Sequence, residues 1–134
     1  MPTIEKEPAT SQSLLDSKTI VECIDACLKC ETACVACADG CLGSKAVGSF
    51  ATCIRRDLDC ADICAATARV LARPFAPDLE VVRAQLQACI KACASCEREC
   101  RMHDMVHCRV CGDACKRCED ACRGALTALP AALA

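Results

Sequence analysis

The chain contains no tryptophan and no tyrosine, and Phe50 and Phe75 are its two aromatics among 134 residues. A core of large interlocking rings is therefore excluded. Acids and bases nearly balance, with 18 Asp and Glu against 16 Lys and Arg and a formal net charge of -2. This leaves no basic field of the kind phosphate backbones require, which argues against nucleic acid as a partner. No stretch approaches the roughly 18 uncharged apolar residues of a membrane span, so no transmembrane helix is expected. Residues Met1 to Pro8 lack the basic start and apolar run of a secretory leader, and the expectation is a chain that stays in the cytosol. No Ser/His/Asp or Cys/His set with an orienting acid is visible, nor a glycine-rich phosphate loop, nor a carboxylate pair in a cleft. The chain reads as a non-enzyme.

What the chain does have is cysteine, 18 residues in a length that fits one domain. In a reducing cytosol an even cysteine count is poor ground for disulfides, and metal binding becomes the leading use of the thiols. A disulfide-stapled helical scaffold stays open as the bland alternative. Cys27 to Cys37 and Cys108 to Cys118 have the separation of twin-cysteine hairpins, but steps of three and four produce that separation automatically.

The cysteines form four groups: Cys23, Cys27, Cys30, Cys34, Cys37 and Cys41; Cys53, Cys60 and Cys64; Cys89, Cys93, Cys96 and Cys100; Cys108, Cys111, Cys115, Cys118 and Cys122. Steps of three, four or seven keep side chains on one face of an α-helix and do not suit the two-residue period of a strand. Four helices follow, all-α, with short connections that favour an antiparallel up-down-up-down four-helix bundle. The first helix is expected from Ser11 or Ser13, with a capping-box-like Ser13 to Asp16, to Gly40–Gly43. The second runs from Ser49 to Leu71. Pro77 at the first helical position, followed by Asp78 and Glu80, opens the third, which ends near His103. Asp104 is the expected N-cap of the fourth, which ends before Pro130. Residues 1–10 read as a loose tail and 11–134 as a single domain.

In an ordinary bundle the inward stripe carries Leu, Ile and Val, whereas here the central part of every stripe is cysteine, so the core is expected to be thiol-lined. Cys23 to Cys41 alone spans about 27 Å along the first helix. The antiparallel path puts Cys41, Cys53, Cys100 and Cys108 toward one end, with Cys23, Cys64, Cys89 and Cys122 deeper. Beyond the deep cysteines Ile20, Leu71, Phe75, Val82, Leu86, Leu126 and Leu129 form an expected apolar plug. At the opposite end His103 continues the third stripe, and Met105 and His107 precede Cys108. His103, His107 and Met105 are therefore candidate mouth ligands, set against surface histidines without a role. Asp57 lies on the second stripe, where a buried carboxylate needs a partner; an oxygen ligand near the mouth and an ion pair with a neighbouring arginine are both open.

The ligand set then selects the ion. Zinc sites usually draw four ligands from turns, and a dry core of anionic zinc-thiolate clusters carries a large desolvation cost. Cu(I) is monovalent and soft and accepts two or three sulfurs. Bridging thiolates let the ratio approach one ion per cysteine with the charge cancelled. The iron-sulfur run CxxCxxCxxxCP is absent, and CxxC embedded in long stripes is not set for redox catalysis. High-capacity Cu(I) storage leads. A zinc or mixed-metal metallothionein-like buffer and a copper metallochaperone remain as alternatives, the latter needing exposed thiols.

The run CxxxCxxCxxxCxxCxxxC from Cys23 to Cys41, repeated in shorter form from Cys89 to Cys100 and Cys108 to Cys122, resembles the cysteine-rich four-helix-bundle copper storage proteins of bacteria, and the missing leader suggests their cytosolic branch. The resemblance implies storage of many Cu(I) ions by the 18 cysteines, access at a His-bearing mouth, copper donor or acceptor proteins as partners, and a homotetramer. His103, His107 and Met105 match that mouth by location. For the oligomer the residues themselves offer second apolar rows, Ile24, Leu28 and Val35 in the first helix and Ile54 and Leu58 in the second, which suit either bundle flank or partner surface.

Overall fold

A computed structural model describes residues 17–131. The expected tail and the start of the first helix at Ser11 or Ser13 lie outside the described residues. Four helices follow in chain order: α1 (Ser17–Leu42), α2 (Ala51–Leu71), α3 (Leu79–Cys100) and α4 (Val106–Ala128), with one 3-10 turn (Val47–Phe50) leading into α2. Among the described residues there is no strand, and no helix is long and apolar enough to cross a membrane. Helix α1 packs on α2 and α4, and α3 packs on the same two. The result is a square bundle in which diagonal helices stand apart. The antiparallel path follows from its contacts: Cys23 near the start of α1 meets Cys122 near the end of α4, and Cys64 late in α2 meets Cys89 early in α3.

Helix ends answer to local hydrogen bonding. Asp78, not Pro77, sets the start of α3: its Oδ1 accepts from the backbone N–H of Glu80 at 3.1 Å and of Val81 at 3.3 Å. Pro77 therefore stands outside the helix, because an aspartate that satisfies two free N–H groups fixes the cap. Asp104 does not cap α4. Met105 occupies that position without a side-chain cap, and Asp104 Oδ1 accepts instead from Arg109 Nη1 at 2.6 Å. Helix α3 also stops at Cys100, ahead of the expected His103, and residues 101–103 form a turn.

The plug end closes as its composition demands. Ile20, Leu71, Val82, Leu86 and Leu129 are buried and Leu126 packs half-buried against them; each fully buried large side chain contributes about 1.5–3 kcal/mol. Phe75 is excluded from this plug and is 50% exposed. It lies in the segment joining α2 to α3, where Ala76 takes φ 47°, a left-handed conformation that costs a non-glycine residue about 1–2 kcal/mol. Phe50 is the buried aromatic, at the opposite end. Of the second apolar rows, Ile24 and Ile54 pack against the core as flank, while Leu28, Val35 and Leu58 remain about half exposed.

Candidate metal centre

All 18 cysteines are free thiols, and every one is fully buried. The three-four step alone would place them on four separate faces; the square packing turns those faces to a common axis. Sulfurs meet across the diagonals, where the backbones do not. Cys34 of α1 lies 4.0 Å from Cys96 of α3, and Cys64 of α2 lies 3.8 Å from Cys118 of α4. Neighbouring helices contribute the rest, including Cys30 to Cys115 at 3.8 Å and Cys60 to Cys93 at 3.8 Å.

The sulfurs form four-donor groups whose ligand atoms lie within 4.8 Å of one another, and the groups share members. Cys27, Cys89, Cys118 and Cys122 pass Cys118 to the next group, Cys30, Cys64, Cys93 and Cys118. Cys30 then belongs also to Cys30, Cys34, Cys60 and Cys115, and Cys34 and Cys115 recur with Cys96 and Cys111. A chain of shared ligands therefore runs along the axis. At the mouth Cys37, Cys41, Cys108 and His107 make a further group, with His107 Nε2 3.5 Å from Cys41 Sγ. Cys37 joins it to the column through Cys100 at 4.0 Å, and Cys100 lies 3.8 Å from Cys53.

Asp57 stands inside this column, fully buried. Cys96 and Cys111 donate to its Oδ1 at 3.2 and 3.3 Å, Cys100 at 3.6 Å, and Cys53 donates to Oδ2 at 3.9 Å. The ion pair with an arginine is thus replaced by a ring of thiols: the α2 stripe turns this carboxyl inward, away from every arginine that makes an ion pair among the described residues. Burial above all pushes its pKa up to about 9. Burial followed by the charge of Cys108 pushes the Cys41 thiol up to about 11. Both shifts have one cause, the cost of an unpaired charge in a dry interior. A soft monovalent cation reverses that cost, since it neutralises the thiolate it creates.

His103 and Met105 do not join the mouth group described above. The His103 ring donates from Nε2 to Glu99 Oε2 at 2.8 Å and lies against Phe50, with ring centroids 4.7 Å apart and planes tilted by 39°. Met105 is 37% exposed at the start of α4. Glu99 and Phe50 are residues that sequence reasoning missed. The i,i+4 spacing of Glu99 and His103 carried a readable signal for the first; none pointed to the second.

With this geometry in view, comparisons with known proteins are specific. A family model described as copper storage protein matches residues 16–127. The fold is similar to the copper storage protein of Streptomyces lividans loaded with 10 copper equivalents, with a TM-score of 0.87 and 47% identity over 92% of this chain and 95% of that one. A second structure from that organism, of a cytosolic copper storage protein carrying five coppers, gives a TM-score of 0.83 and 45% identity over 92% of this chain and all of the other. The cysteine-rich protein YhjQ of Bacillus subtilis is 36% identical over 94 residues, 69% of this chain and 82% of YhjQ.

Proposed function

Because the chain belongs to the copper storage protein family, we propose that it stores Cu(I) at high capacity, with the 18 cysteines as ligands along the bundle axis. The observation that carries this reading is the sharing of buried sulfurs between successive four-donor groups. Shared thiolates suit Cu(I), which takes two or three bridging sulfurs and leaves a neutral column. Zinc would leave each group anionic in a dry interior. Asp57 adds an oxygen donor within the column, and His107 adds a nitrogen at the mouth. Delivery of single ions to a partner fits less well, since every thiol is buried. Storage requires no bond making in a substrate, and the protein is read as a non-enzyme. Its cytosolic placement rests on the relative described as cytosolic.

The test is an anaerobic titration of the reduced protein with Cu(I), followed in the ultraviolet and repeated against a competing chelator. A break near one ion per cysteine that survives the competitor supports storage. Saturation at one or two ions, or zinc that copper does not displace, sinks it.

The half-exposed Leu28 lines a shallow groove between α1 and α4 that also takes in Ala33, Ala36, Val110 and Ala114, with Lys29 and Arg117 among its polar residues. A second copy of this chain is the occupant this reading assigns to it, in the tetramer that the sequence resemblance implies. Sedimentation of the wild type against Leu28→Lys tests it, and a wild-type monomer refutes it.

A further inference from the structure

We propose that Gly40 is a positioning residue for His107: by leaving bare backbone in the last turn of α1, it lets the imidazole lie against that helix with Nε2 aimed at Cys41. The inference rests on the Cu(I)-storage reading for its consequence, the rate at which ions pass the mouth.

Gly40 sits within α1, two residues before its end at Leu42, and its φ is not positive. No backbone conformation there demands glycine, and glycine inside a helix is less stable than alanine. Space explains the choice. A Cβ at position 40 would stand 2.8 Å from His107 Cγ, 2.9 Å from Nδ1 and 3.0 Å from Cδ2. These atoms adjoin the ring's point of attachment, so the ring escapes only by changing χ1, which carries Nε2 off its 3.5 Å approach to Cys41 Sγ. Other helical glycines differ. At Gly112 an added Cβ meets the far end of the flexible Arg101 side chain, and at Gly124 it meets nothing within 4 Å. Gly40 alone among these three faces a candidate ligand.

The test compares wild type, Gly40→Ala, His107→Ala, the double variant and Gly124→Ala as control. Three quantities are read: the initial rate of Cu(I) transfer from a weak chelator, the final number of ions per chain, and the His107 ring resonances of the reduced, metal-free protein by NMR. Gly40→Ala is expected to slow transfer about tenfold, as His107→Ala does, with the double variant no slower than either. Final capacity is expected to be unchanged by Gly40→Ala and Gly124→Ala, the His107 resonances shifted by Gly40→Ala but not by Gly124→Ala, and alanine at position 40 to raise the melting temperature only where His107 is absent. Wild-type transfer by Gly40→Ala, a double variant slower by the product of the single effects, or unshifted resonances would overturn the proposal. If the wild type takes up no Cu(I), the storage reading fails, while the resonances and the melting temperatures still decide the positioning role. Should Gly40→Ala not fold, a folded double variant supports the clash, and one that also fails refutes it.

Discussion

The Oδ1 atom of Asp57 lies 3.2 Å from the sulfur of Cys96, so a fully buried carboxyl from α2 is held by a thiol from α3. In the metal-free protein its pKa rises from an ordinary 3.8 to about 9, first through burial. Between those values the folded state keeps a proton that the unfolded chain has lost. Folding stability contributed by this group therefore falls as pH rises, with a slope of at most about 1.4 kcal/mol per pH unit. Asp57→Asn is expected to flatten guanidinium-unfolding stability between about pH 4 and 8. Above that range the thiols of the unfolded chain ionise and stability falls in both proteins. An unchanged slope in the variant would refute this account of Asp57.

The two histidines are expected to part company. His107 sits with Cys37, Cys41 and Cys108, whereas His103 is engaged by Glu99 at 2.8 Å and by the tilted ring of Phe50. His103→Ala is expected to slow Cu(I) transfer less than about twofold, against about tenfold for His107→Ala, because His107 shares a four-donor group with three cysteines while His103 is engaged by Glu99. Single-mixing kinetics with a weak Cu(I) chelator decide it; equal slowing by the two variants would give His103 a mouth role equal to that of His107.

Much of this was legible because cysteine supplied both the period and the chemistry. Steps of three and four define helices whatever their tertiary setting, and their convergence follows once the connections are short. The ends were harder to read. Pro77 and Asp104 are both ordinary helix-start residues, yet one stands outside its helix and the other pairs with Arg109. Cap geometry, not residue type, decides between such neighbours. His103 falls in the turn after α3, which ends at Cys100, and there its ring meets Glu99 and Phe50, a setting the helical period does not describe. The aromatics show the limit most plainly. Phe75 continues the second stripe in spacing, yet it falls in the segment after α2, as Phe50 falls in the turn before it, and their burial depends on how those segments fold, which no periodicity encodes.

The plug is expected to matter for stability and not for capacity. Leu86 is fully buried beyond the thiol column, and Leu86→Ala is expected to cost the metal-free protein about 2–5 kcal/mol. Thr67, also fully buried, donates to Ile63 O at 2.7 Å and accepts from Gln85 Nε2 at 2.9 Å, so Thr67→Val is expected to cost about 1–3 kcal/mol. Chemical unfolding measures both losses. Neither variant is expected to lower the number of Cu(I) ions bound per chain, and a fall in that number would place the plug within the storage site.

Loading is expected to exchange protons for copper. All 18 thiols are buried, where a charged sulfur is costly. A neutral thiol is the state such an interior favours. Each Cu(I)-thiolate bond network then forms only as thiol protons leave, and the charge inside the bundle stays near zero throughout filling. A titration in weak buffer, run anaerobically on the reduced protein, is expected to release about one proton per cysteine by saturation. The melting temperature is expected to rise with loading, since an ion that binds only the folded column shifts folding by mass action. Release of far fewer protons would mean that the thiols were already ionised or that much of the column had not taken part. Alkylation of the residual thiols separates those two cases: a column that had not taken part leaves thiols to react, whereas a filled column of pre-formed thiolates leaves almost none.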